Sequence, residues 1–187
     1  MRYFQLRDDM RIPGRWVLSD PLDENGQEID PWLFDEGKPL DLQGTLRLPQ
    51  AQAGRALDFS LTTLAIPVVH ARVVSLLERS GLQQQVQWLP AQVEGRPEPY
   101  FILNALRVIR CIDNPRCDQV QYWNAEDGEP DKVGQYRVVS GLRIDPSRVG
   151  NASIFRTWGW SVALIISEQL KQALEQENIS GIRLTEV

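Results

Sequence analysis

Phe155-Arg156-Thr157-Trp158-Gly159-Trp160-Ser161-Val162-Ala163-Leu164-Ile165-Ile166-Ser167 is the stretch that decides the reading of the fold. Its aromatic half runs into one of the two most apolar runs of the chain, 162–166, which reads as a buried strand. Ser167 is a good N-cap for a helix over 168–177 that buries Leu170, Ala173 and Leu174. Gly181-Ile182-Arg183-Leu184 follows as a last strand. If the aromatic half is extended, Arg156, Trp158 and Trp160 share one strand face. Tryptophans fill cores, and Arg beside Trp is also the composition of an interface anchor. Both readings stay open on sequence alone.

Upstream, 136–139 and 142–144 are strand-like, and Asp145-Pro146 ends them. The longest strand candidate is 100–112, apolar on both parities at first, as expected of a strand covered on both faces. Arg107 and Arg110 disturb it late, which suggests an edge or a bulge. The turn signal Asp113-Asn114-Pro115-Arg116 then predicts a long hairpin with 119–123. A first helix is expected over 68–80, with Pro67 in its first turn, Val69, Val73, Leu76 and Leu77 on its apolar stripe, and Gly81 as its stop. The strand 85–89 follows it.

The N-terminal part offers short strands at 3–6 and 15–18, turned by Pro13-Gly14, and others at 45–48 and 58–61. The segment 19–42 is irregular, and Trp32, Leu33 and Phe34 are expected to pin it to the body. Residues 66–89 and 163–184 echo one another, each an apolar entry, an amphipathic helix and a strand, with Leu77-Glu78 matching Leu174-Glu175. The fold class is therefore α+β, a mainly antiparallel sheet with two principal helices, as one domain or two closely packed lobes. Residues 1–43 form an acidic, loop-rich segment and 44–187 the α+β domain, with the best internal boundary at 94–99.

The chain has 187 residues, 42% hydrophobic and 24% charged, which is ordinary for a globular protein with a sizeable core. No apolar run reaches the roughly 18 residues of a membrane span. Charges interrupt the first residues before any signal-peptide core forms, so a cytoplasmic location is expected. The net charge is −5, and residues 1–41 hold ten acids against five bases. That excess argues against nucleic acid as a direct ligand and is compatible with a basic protein partner. Candidate partner-facing acids are Asp20, Asp23, Glu24 and Glu28 in the first loop, and Asp127, Glu129 and Asp131 in the later one. Trp123, Arg156 and Trp158 are the candidate anchors.

No catalytic, cofactor or metal set is legible. His70 is the only histidine, and a general base needs a positioned partner that cannot be seen. Cys111 and Cys117 are too few for a disulfide framework and, with one histidine, for a four-ligand zinc site. The acids of 126–131 lack the spacing of a calcium loop. No nucleophile elbow, phosphate loop or zinc helix is present.

Several pieces carry a resemblance: Tyr100-Phe101-Ile102-Leu103-Asn104, Tyr122-Trp123, Val133-Gly134-Gln135-Tyr136, Leu142-Arg143-Ile144-Asp145-Pro146, Val149-Gly150 and Ile154-Phe155-Arg156-Thr157-Trp158-Gly159. Together they resemble an immunity-protein family of bacterial polymorphic toxin systems, over about 44 to the C-terminus. The resemblance implies a non-catalytic protein that binds and blocks a cognate toxin made by the same cell. The toxin's chemistry is not implied, nor are binding residues. Two other classes remain: a small hydrolase or ligand-binding protein using carboxylates and aromatics, favoured by a deep pocket of perturbed acids, and a self-associating component, favoured by an apolar homodimer patch.

Overall fold

The computed structural model describes residues 1–187. In chain order its strands and helices are β1 (Tyr3–Asp8), β2 (Val17–Leu18), β3 (Leu46–Leu48), β4 (Gln50–Gln52), β5 (Phe59–Leu61), β6 (Pro67–His70), α1 (Ala71–Arg79), β7 (Val86–Val93), β8 (Tyr100–Ala105), β9 (Val108–Ile109), β10 (Gln119–Tyr122), β11 (Tyr136–Ser140), β12 (Ile154–Thr157), β13 (Trp160–Ser167), α2 (Glu168–Gln176) and β14 (Ile182–Glu186). The class is α+β, as the sequence implies. One five-stranded sheet has the order β14-β1-β13-β12-β9, and another has β3-β7-β8-β6-β5. The ladders are mainly antiparallel, with β9–β12 and β3–β7 the parallel exceptions. No helix is long and apolar enough to cross a membrane.

Both sheets are covered on both faces. A cluster of 18 buried residues joins one face of each sheet to α1 and α2. The opposite face of the second sheet packs Trp16, Leu18, Phe34 and Ile102, and that of the first packs Phe155, Ala163, Ile165 and Cys111. Alternate residues of β13 therefore enter different clusters, Leu164 and Ile166 in one and Ala163 and Ile165 in the other. That explains an unbroken apolar run instead of an alternating one. Chain ends meet in the first sheet, because β1 lies between β13 and β14.

The echo is structural. β6-α1-β7 and β13-α2-β14 are each strand–helix–strand, and in each the two strands flank a third that is antiparallel to both, β8 in one and β1 in the other. They sit on two sheets, where the sequence pattern suggested one, and their helices meet in the shared cluster. Ser167 caps α2 by accepting from Leu170 N–H, and the predicted 168–177 helix is shortened only by its last residue.

Several expectations change. The first helix begins at Ala71, not near 68: Pro67 opens β6, where β8 pairing starts only at Val68, so its missing N–H leaves no gap in that ladder. His70 closes the strand and caps α1, its Nδ1 accepting from Arg72 N–H at 3.2 Å. The stretch 100–112 is two strands in two sheets, since the chain leaves β8 after Ala105 and joins β12 through β9. β10 accordingly pairs with β11 and not with that stretch. Residues 142–144 supply an isolated bridge, Ile112 to Ile144, in place of a strand. Residues 94–99 form the connection between β7 and β8, which are neighbours in one sheet.

Candidate functional site

Asp35 and Arg156 fix one end of the molecule. Asp30 and Pro31 start a single-turn 3-10 helix over Pro31–Asp35, Asp30 accepting from Trp32 N–H at 3.0 Å. Phe34 is buried and pins that turn. Asp35 then reaches Arg156 on β12 at 2.9 Å. Arg156 also donates to the Ser161 carbonyl at 2.6 Å, and the Ser161 hydroxyl donates to Asp35 at 3.4 Å. Burial raises the Asp35 carboxyl above its usual range, and the Arg156 charge opposes this only in part. Burial likewise lowers the Arg156 guanidinium. Arg156 is 1% exposed, so it belongs to the interior and not to a partner surface. The turn after it breaks the shared strand face expected of Arg156, Trp158 and Trp160: β12 and β13 meet in a tight hairpin at Trp158-Gly159, with Gly159 at φ +75°.

Tyr136 of β11 packs against that turn. Its N–H donates to Gly159 O at 3.0 Å, and a side chain at 159 would meet its ring. The β10–β11 hairpin is thereby laid beside the Pro31–Asp35 turn. Lys132, in the hairpin's connecting loop, lies 5.2 Å from the Trp123 ring and 5.8 Å from the Trp32 ring. Arg137 stands 5.0 Å from the Trp123 ring. Trp32 is 61% exposed. Phe34, not Trp32, is therefore the pin of this segment, and Trp32 faces solvent.

The carboxylates of the same loop stand in different states. Asp127 pairs with Arg137 and accepts from Asn124 N–H at 2.9 Å, closing a capping box on its short turn. Glu129 pairs with Lys132 at 3.3 Å. Asp131 is exposed and in no ion pair. Trp158 is half-buried, with the Arg110 guanidinium 3.3 Å from its ring.

The first-loop acids also divide. Asp20 accepts from the Thr62 hydroxyl at 2.6 Å, the Thr63 hydroxyl and Leu64 N–H, so it holds the β5–β6 connection. Asp23 accepts from Asn25 and Gln27 N–H at 2.8 Å each, forming its own turn. Glu24 and Glu28 are exposed and pair with no base. Sequence reasoning missed Trp32 as a surface residue and Lys132 as the link between the two tryptophans. The available signal was the lone lysine in an acidic, tryptophan-flanked loop.

Chemically, this end offers one exposed and one half-buried indole, unpaired carboxylates and a buried ion pair. That set suits recognition of a basic surface, since aromatics supply desolvated contact area and acids supply complementary charge. The model of an immunity protein family (Imm11) matches residues 1–187. This takes in the acidic first forty residues that the sequence resemblance left outside. No curated protein matches the chain.

Proposed function

The chain belongs to the Imm11 immunity protein family, and from that premise we propose that it binds and neutralises a cognate bacterial toxin without catalysis of its own. The observation that carries the reading is the exposed Trp32 and the half-buried Trp123, joined through Lys132 on an acidic loop. Asp127 and Glu129 pair with the two cations that lie near the Trp123 ring, Asp131 is on the same loop, and Trp158 stands on the neighbouring turn. Glu24 and Glu28 add negative charge from the first loop, while Asp20 and Asp23 shape that loop. Opposite charge speeds encounter and buried aromatics slow release, which is the combination a toxin inhibitor needs. The partner is then a toxin protein with a basic contact surface, met in the cytoplasm where both are made.

A hydrolase reading draws less support. The one carboxyl raised by burial, Asp35, is engaged by Arg156 and Ser161. The largest cleft is lined instead by Arg11, Lys171, Glu175 and Arg183. The test is affinity capture of the tagged protein from its native cell, mass spectrometry of what co-purifies, and assay of the captured toxin with and without added protein. A toxin domain that is captured and inhibited supports the proposal. Capture without inhibition, or no toxin at all, overturns it.

A further inference from the structure

We propose that Lys132 is a placeholder, holding between Trp32 and Trp123 the position that an arginine side chain of the toxin takes on binding. This rests on the function proposed above and names the partner group that the site receives. An ammonium beside indole faces is attracted by the ring quadrupole, and the attraction grows as water leaves. Lys132 already sits within 5.2 Å and 5.8 Å of the two ring centres, with Glu129 at 3.3 Å.

Two features mark the occupant as replaceable. Trp123 has a second cation, Arg137, 5.0 Å from its ring, so two positive charges crowd one indole. Arg137 is fixed by its ion pair to Asp127, whereas the Lys132 partner Glu129 is half exposed at 51%. Such a surface pair contributes little and is easily exchanged. The surroundings also still attract a cation. Glu126 and Asp131 on the same loop form no ion pair, so the loop's carboxylates outnumber its own cations.

Arginine fits the vacated place better than lysine. Its planar guanidinium stacks on aromatic rings, is more weakly hydrated and can bind a carboxylate through two N–H groups. Arg110 on Trp158, 3.3 Å from its ring centre, shows that stacking elsewhere on this end of the molecule.

Two measurements test the proposal. The first needs no toxin: N-acetylarginine amide is titrated into the folded protein, with N-acetylalanine amide as reference, and the indole N–H signals of Trp32 and Trp123 are followed by NMR. Lys132→Met keeps the chain length and removes the charge. It is expected to bind the arginine amide about fivefold more tightly than the unmodified protein, and the Trp32→Ala, Trp123→Ala double variant to lose the response. Equal binding by the unmodified and Lys132→Met proteins overturns the placeholder role. The second is affinity for the toxin domain, where Lys132→Met is again expected to bind more tightly. Weaker binding makes Lys132 a direct contact and overturns the inference. If no variant binds toxin, the proposed function fails, and the arginine-amide titration alone decides this point.

Discussion

Leu77 and Leu174 occupy equivalent places in the two strand–helix–strand units. Each is 2% exposed. Leu77 O accepts from Leu82 N–H at 3.2 Å and Leu174 O from Ile179 N–H at 3.0 Å. The residue that turns each chain away from its helix is left-handed, Gly81 at φ +74° and Asn178 at φ +51°. The same closing geometry is thus built twice, and both leucines enter one cluster between the sheets. Leu77→Ala and Leu174→Ala should each destabilise by about 2–5 kcal/mol, the cost of truncating a packed leucine. Urea unfolding measures this. A loss below about 0.5 kcal/mol at either site would mean that helix is not packed as described.

The buried ion pair makes a second prediction. Arg156 has two nitrogens, Nε and Nη2, without a partner, so Asp35 is its main compensation. Asp35→Ala should cost about 3–5 kcal/mol, because it leaves a guanidinium uncompensated in the interior. Asp35→Leu combined with Arg156→Met should lose much less, since both charges go together. A double variant as unstable as Asp35→Ala would assign the cost to packing and not to charge.

How much of this was legible follows from where the information lies. The Ser167 cap and the leucines after it are local, so α2 could be read nearly to the residue. Pro67 carries an equally local helix-start signal, but pairing with β5 and β8 outweighs it. The partner of β10 is a choice among several strands of similar composition, and nothing within 119–122 selects β11. Arg156 could be read as an anchor because its burial depends on Asp35, a residue of another part of the chain. The Trp32–Lys132 approach is tertiary in the same way, and only the acids and Trp123 of that site were available from local pattern.

The thiols should react unequally. Cys111 is fully buried, and desolvation pushes its thiol up to about 12. Cys117 is half-buried and unbridged. A chromogenic disulfide at pH 8 should titrate Cys117 in the native protein and Cys111 only on unfolding. Cys111→Ser should cost about 1–3 kcal/mol, because it buries a hydroxyl among apolar side chains. Two fast thiols in the native state would contradict the burial of Cys111.

Alkali should destabilise the fold through its phenols. Burial pushes Tyr100 and Tyr136 up to about 12, assisted at Tyr136 by its contact with Tyr122. The folded state therefore holds these phenols neutral where the unfolded chain, near 10, already ionises. Their contribution is complete below pH 10 and is lost as pH rises toward 12. Melting temperature should fall across that window, and less steeply in Tyr100→Phe. A phenolate absorbance that reaches completion at pH 11 without unfolding would be the opposite result.

Association with the toxin should depend on charge in a way the geometry makes testable. Neutralising every loop acid would confuse steering with structure, because Asp20 and Asp23 hold turns and Asp127 caps one while binding Arg137. Glu24, Glu28, Glu129 and Asp131 have no such backbone duty. The variant to use is therefore Glu24→Gln, Glu28→Gln, Glu129→Gln and Asp131→Asn together, checked for unchanged melting. With surface-immobilised toxin domain, its association should slow about tenfold at low salt, the scale of electrostatic steering. The gap should narrow above physiological ionic strength, where screening shortens the reach of exposed charges. Dissociation should change little, since release is governed by desolvated anchors. Trp123→Ala should do the reverse, speeding dissociation while leaving the salt dependence of association in place. If association is insensitive to salt and to the fourfold variant alike, these acids are only a solvated face, and recognition rests on the aromatic pair alone.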